Sequence, residues 1–207
     1  MAPDAIQVGV MQSIIEKLDS YSDLLAPLRE VARHYAASQS VISADGTLSI
    51  GHRAWIAPLS YSLELFPGID VESLRFYSQR FKISVPEIYQ EFLREINGAF
   101  CFGMSLCGVP LSMLGSPPLL DRSRLQCHDL ATAATTWVAG YNVPERFFHF
   151  GGRHYSYTEN VGYFIDSDNN ILCVRTSGEV LSTWTSLTQF LADELKASEA
   201  LFKKHNF

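Results

Sequence analysis

Two spacings of apolar residues divide this chain. Recurrence every three or four positions predicts helices with one buried stripe, and alternation predicts strands. Ile6, Val10, Ile14 and Leu18, with Met11 and Ile15 beside them, predict a helix over 5–18. Leu24, Leu28, Val31 and Tyr35 predict a second over 24–37, with Asp23 as its cap, so the chain should open on a helical hairpin. The helical pattern breaks over 41–56, where Asp45-Gly46 between short apolar runs reads as a tight turn. The stretch 57–68 carries two prolines and a Ser-Tyr-Ser run and is read as a connector. Asp70 then opens a helix whose Leu74, Tyr77 and Phe81 share a face.

The strongest local signal follows. Ser84 is placed to cap a helix, Pro86 suits its first turn, and Glu87 stands three residues after Ser84 as in a capping box. Ile88, Tyr89, Phe92, Leu93 and Ile96 form the apolar stripe, while Glu91, Arg94 and Glu95 fall outside it. Asn97-Gly98 predicts the end of the helix, with Gly98 in a left-handed cap. Beyond it the period shifts toward two, predicting strands near 100–106 and 111–114, before Gly115-Ser116-Pro117-Pro118 interrupts. Asp129 caps a predicted helix built on Leu130, Ala133, Ala134, Trp137 and Val138 and ended by Gly140. At least four antiparallel strands are predicted from Phe147 to Val180, and Thr185 or Ser186, the latter with Gln189 three residues on, caps a closing helix on Leu187, Phe190, Leu191 and Leu195.

Composition changes this picture in three ways. With 207 residues, 47% of them hydrophobic, the chain can bury a full core. A net charge of −6 argues against a phosphate-backbone binder, so no direct nucleic-acid contact is expected. Residues 1–75 hold nine acidic and five basic residues, −4 of that total, which is compatible with a basic protein partner. No apolar run reaches the roughly 20 residues that span a bilayer, and the N-terminus has no basic region leading an apolar core, so a cytoplasmic protein without membrane contact is expected. Cys101, Cys107, Cys127 and Cys173 show no Cys-x-x-Cys spacing and read as reduced core thiols.

Several clusters invite chemistry, and a plainer reading is preferred for most of them. Asp166-x-Asp168-x-Asn170 opens like a calcium loop but has Ile171 where Gly is needed, so a β-turn is preferred. Gly151-Gly152 lacks the rest of a phosphate loop and is read as a turn. Cys127-His128-Asp129 has nucleophile chemistry, yet adjacent side chains diverge. His149 and His154 leave a metal's ligand count unmet. Glu87, Glu91 and Glu95 read as a solvated helix face. No catalytic residue, cofactor or metal is therefore assigned. In the run from Arg153 to Asn160, tyrosines alternate with charged and polar residues. Arg153, Tyr155, Tyr157 and Glu159 are the candidate partner-binding residues, with Arg153 and Glu159 expected to be exposed.

The order of these elements resembles the SUKH superfamily over roughly residues 69–196. The resemblance is carried by Pro86-x-x-Tyr89-x-x-Phe92-Leu93 leading to Asn97-Gly98, by Leu114-Gly115, and by Phe147-Phe148-x-Phe150-Gly151. Gly162-Tyr163-Phe164-Ile165-Asp166 and Ser186-Leu187-x-x-Phe190-Leu191 extend it, the latter with Leu187 in place of the family's first Phe. The resemblance implies an α+β fold, a mostly antiparallel sheet packed against helices, in a domain over 69–207; residues 1–68 lie outside it and are read as an N-terminal helical extension and connector. It also implies a non-enzymatic immunity protein that binds and neutralises a cognate bacterial toxin. The superfamily's fungal branch offers the alternative of a regulatory scaffold acting through protein–protein contact.

Overall fold

The computed structural model describes residues 5–114, 126–153 and 160–206. The fold is α+β. Among the described residues nine strands form one antiparallel sheet, and they lie in it in chain order. The elements are α1 (Ala5–Asp19), α2 (Ala26–Ala36), β1 (Val41–Ile42), β2 (Leu48–His52), β3 (Tyr61–Pro67), α3 (Val71–Phe81), α4 (Glu87–Glu95), β4 (Ile96–Cys101), β5 (Met104–Leu106), α5 (Leu130–Thr135), β6 (Phe148–Arg153), β7 (Val161–Ile165), β8 (Ile171–Arg175), β9 (Val180–Trp184) and α6 (Leu187–Asn206).

Side-chain alternation gives the sheet two different faces. On one, Leu63, Leu65, Ala99, Cys101, Met104, Leu106, Tyr163 and Cys173 join Leu18, Leu28, Ala32, Tyr89, Phe92, Phe190 and Leu191 of the helices in a single buried core. Phe190 of α6 packs edge-on against Tyr163, Phe150 and Trp184, at ring-centroid separations of 4.9, 5.6 and 5.3 Å. The other face carries a smaller cluster of Phe164, Leu172 and Val174, packed under Val138, Tyr141, Val143 and Phe147.

The N-terminal hairpin belongs to the main core. Ile14, Leu18, Leu25, Leu28 and Ala32 are buried in it. Glu95 accepts from the Ser22 backbone N–H (2.7 Å) and from its hydroxyl, so this carboxylate fastens the hairpin to the end of α4 and is not part of a solvated face as expected. Thr188 of α6 donates to the Leu24 carbonyl (3.2 Å), and Tyr35 of α2 is hydrogen-bonded to Glu199. The stretch 57–68 is likewise more than a connector. Tyr61–Pro67 is β3, and it joins the hairpin β1–β2 to β4 and the rest of the sheet. Its prolines misled the reading: Pro58 lies outside the strand and Pro67 ends it.

Two further expectations change at α4. It begins after Pro86, which adopts an extended cap conformation, and Ser84 does not cap it. A residue preceding proline is pushed out of the helical region, which holds Val85 extended and moves the start forward. At the other end no turn intervenes. Ile96 is already extended, and Asn97 and Gly98 are strand residues of β4. Gly98 does have positive φ (91°), for a different reason than a helix cap: a Cβ there would stand 2.8 Å from the Leu106 carbonyl oxygen and 2.9 Å from Cys127 Cβ. Phe102 and Gly103, also at positive φ, form the two-residue turn between β4 and β5. The predicted strand at 111–114 is a 3₁₀ turn, and Gly115-Ser116-Pro117-Pro118 lies outside the described residues.

Candidate functional site

A single cross-strand row explains the site. Along the second face the registered residues are Ser49, Glu64, Phe100, Ser105, Gly152, Gly162 and Val174, one from each of seven neighbouring strands. Large or charged residues flank three small ones, Ser105, Gly152 and Gly162, which leaves a depression in the middle of the sheet. Gly151-Gly152 is thus strand, paired with Leu106 and Ser105, and not the turn expected from sequence. Gly151 is needed for close strand approach, because a Cβ there would overlap the Ser105 carbonyl.

The segment 126–141 crosses over this depression, and its anchors are specific. Gly108 brackets it: the Gly108 N–H donates to the His128 carbonyl and the Leu130 N–H donates to the Gly108 carbonyl, both at 2.8 Å. Asp129 accepts from the Thr132 N–H (3.1 Å) and hydroxyl (2.6 Å), capping α5, and it also accepts from the Tyr77 hydroxyl. That hydroxyl in turn accepts from the Ala131 N–H at 2.7 Å. Asn97 holds the other side of the junction. Its side-chain amide donates to the Val109 carbonyl and its carbonyl accepts from the Val109 N–H, both at 2.7 Å. A Cβ at Gly108 would overlap the Asn97 backbone carbonyl, so this position admits only glycine at the observed spacing.

Between the crossing segment and the sheet lies a cavity of about 480 Å³, with Ser105 and Gly152 in its floor and His128, Trp137, Tyr141 and His149 among its walls. The Ser105 hydroxyl and His128 Nδ1 are 2.7 Å apart. His128 also meets Phe100 and Trp137 edge-on, at 4.8 and 5.4 Å. His149 is buried. Its Nδ1 faces the Ala133 carbonyl at 3.1 Å, its Nε2 faces the Gly151 carbonyl at 2.8 Å, and its ring stacks on Phe164 at 4.6 Å. Burial pushes the Tyr141 hydroxyl up to about 12, so the wall is uncharged there near neutrality.

The sequence-derived candidates are placed as follows. Cys127, His128 and Asp129 do not converge: Cys127 is buried, His128 turns to Ser105, and Asp129 is engaged with Tyr77 and Thr132. Burial, with Asp129 nearby, pushes the Cys127 thiol up to about 12, so the reactive thiolate is scarce near neutral pH. All four cysteines are free and buried. Asp166 accepts from the N–H groups of Asp168 (2.8 Å) and Asn170 (2.9 Å), and Asn169 has positive φ, which makes this stretch the turn between β7 and β8. His154, Tyr155, Tyr157 and Glu159 lie outside the described residues.

Arg153 is a correction. Expected to be exposed, its side chain is only 12% accessible and stands 3.4 Å from Glu194, itself 6% accessible. Glu194 also accepts from the buried Tyr163 hydroxyl at 2.6 Å. Register decides this. Arg153 pairs with Met104 and Val161 in a row that faces the helices, so its charge must be met inside the core.

Ser105 was not singled out in the sequence, and no local signal marks it. It lies 23 residues from His128 and reaches it only through the bridge that lays Asp129 against Gly108. No protein-family model and no curated protein matches the chain. The likeness to the SUKH superfamily therefore stands on the quoted motifs alone. Among the described residues, no helix is long and apolar enough to cross a membrane.

A second surface carries large apolar side chains into solvent. In the loop between β2 and β3, Trp55 is 65% and Leu59 63% exposed, with Ile56 beside them. The loop is fastened at its base. Arg53 N–H donates to the Ser60 carbonyl (2.7 Å), Ile56 N–H to the Arg53 carbonyl (2.9 Å) and Ser60 N–H to the Ala57 carbonyl (3.0 Å). The His52 ring bridges Gln39 Oε1 (3.1 Å) and the Pro58 carbonyl (3.0 Å), while the Arg53 guanidinium lies 3.9 Å from the centroid of the Phe202 ring.

Proposed function

We propose that this chain is a non-enzymatic immunity protein that acts in the cytoplasm by binding and occluding a basic cognate toxin, as its resemblance to the SUKH superfamily implies. The observation that carries the reading is the preorganised apolar loop at 53–60. A Trp and a Leu held in solvent by a hydrogen-bonded base lose little conformational freedom on binding, and exposed aromatic anchors supply much of an interface's energy. The net charge of −6 favours approach of a basic partner. The partner surface is assigned to this loop in preference to the 153–160 run, because Arg153 is committed to Glu194.

The test is co-expression with the toxin encoded beside the gene. Protection of cells and co-purification of a complex are expected, and Trp55→Ala should weaken the complex by about 2 kcal/mol or more, the cost usual for a central anchor. A chain that neither binds nor protects refutes the reading. A partner from a signalling or cell-wall locus would instead select the regulatory branch.

A further inference from the structure

The cavity at the centre of the second face is not used by the loop at 53–60, and none of its lining residues belongs to that loop. We infer that it is a binding site for a small, neutral, planar heterocycle that presents a donor and an acceptor along one edge, the edge chemistry of a lactam or nucleobase ring.

Size comes first. About 480 Å³ falls within the range of roughly 300–1,000 Å³ found for small-molecule sites. Its origin in a row of small residues matters as well. Ser105 and Gly152 stand in the sheet where Phe100 and Val174 occupy the same row on either side, so the hollow is written into the strands rather than left by loose packing. A neighbouring hollow over Gly162 is closed by the Tyr141 ring, since a Cβ there would come within 2.8 Å of it. Among the described residues, the hollow over Gly152 is part of the cavity floor.

Charge comes next. Among the described lining residues none is Asp, Glu, Lys or Arg. Among the described lining residues no opposite charge would meet a charged ligand that gave up its hydration, which favours a neutral one. Its polar groups are hydroxyls, imidazoles and an amide, from Ser105, Thr136, Thr176, His128, His149 and Asn160. A hydroxyl both donates and accepts, so Ser105, already oriented by His128 Nδ1, can still accept from a ligand N–H. Shape comes last. Trp137, 42% exposed, and Tyr141 bring aromatic rings to the lining, and stacking on such rings tolerates any flat ligand.

The proposal makes a discriminating pair of probes available: uracil, neutral and planar with lactam edges, and orotate, the same ring bearing a carboxylate. The chain contains three tryptophans, Trp55, Trp137 and Trp184, so their indole N–H resonances report three places at once. Uracil should shift the Trp137 resonance saturably with a dissociation constant on the order of 1 mM, as expected for so small a ligand, and leave Trp55 and Trp184 in place. Orotate should bind at least about tenfold more weakly. Trp137→Ala should weaken uracil binding about tenfold and Ser105→Ala about fivefold, each at an unchanged melting temperature. If a variant melts early, the uracil–orotate comparison on the unaltered protein decides alone. Equal affinity for the two probes, shifts spread over all three tryptophans, or no saturable shift at all would overturn the inference. None of these readouts involves the toxin partner, so failure here leaves the immunity reading standing, and the reverse holds.

Discussion

The loop at 53–60 and the cavity under residues 126–141 use aromatic residues in opposite ways. Trp55 is 65% exposed on a short, hydrogen-bonded loop whose base is tied to the body through His52 and Arg53. Trp137 and Tyr141 sit over a hollow in the sheet, and the segment bearing them is held by Gly108, Tyr77 and Asp129. In the proposed reading the loop is tolerant of change and gains its contacts only when a partner arrives. The concave site depends on backbone positions that cannot change without moving the strands. The same residue type therefore stands at the proposed partner surface in one place and at the proposed ligand wall in the other, and what separates them is how many independent contacts determine the local backbone.

This contrast predicts a gradient of stability effects. The steepest should come from beneath the cavity, on the helical face of the same strands. Glu194→Ala leaves the Arg153 guanidinium and the Tyr163 hydroxyl buried without their carboxylate, and a loss of about 3–5 kcal/mol is expected in urea unfolding. Gly108→Ala forces a methyl into the Asn97 carbonyl, with an expected cost of about 3 kcal/mol. Gly98→Ala combines positive φ with crowding against Leu106 and Cys127, so about 2 kcal/mol is expected, above the roughly 1 kcal/mol of a helix cap alone. A loss no larger than that of an ordinary cap would mean that the β4–β5 junction relaxes. Cys127 probes the same junction without substitution: iodoacetamide at neutral pH should leave it unlabelled in the folded protein and label all four cysteines in denaturant. At the shallow end, Trp55→Ala should change folding stability by no more than about 0.5 kcal/mol while abolishing most partner affinity. A large drop in melting temperature there would erase the distinction between the two surfaces.

Much of the fold was legible. The stripes of α1, α3 and α6 were read within a residue or two, because three- and four-residue periodicity is a local property of the chain. Asp70, Asp129 and Ser186 each accept from the backbone N–H three residues ahead, as their spacing implied. The errors cluster where a local pattern has two outcomes. Asn97-Gly98 suits a helix cap, yet it also suits a strand that must pass close to Gly108, and contact with that distant glycine decides between them. Gly151-Gly152 suits a turn, yet it pairs with β5 because the adjoining strand needs room. Of the site, the sequence marks His128 beside Cys127 and Asp129 and His149 beside His154, groupings other than the one that forms, and it does not mark Ser105.

By itself, the sequence determined most of the helical stripes, where most helices begin, the strands from Phe147 onward, and that the core is large and the net charge mildly negative, since these follow from short-range periodicity, capping chemistry and composition. Only the tertiary structure decided that residues 41–67 complete the sheet, that Arg153 faces Glu194, and that Ser105 meets His128 over Gly152. Each of those depends on strand register, and one residue of slip would turn every side chain to the opposite face.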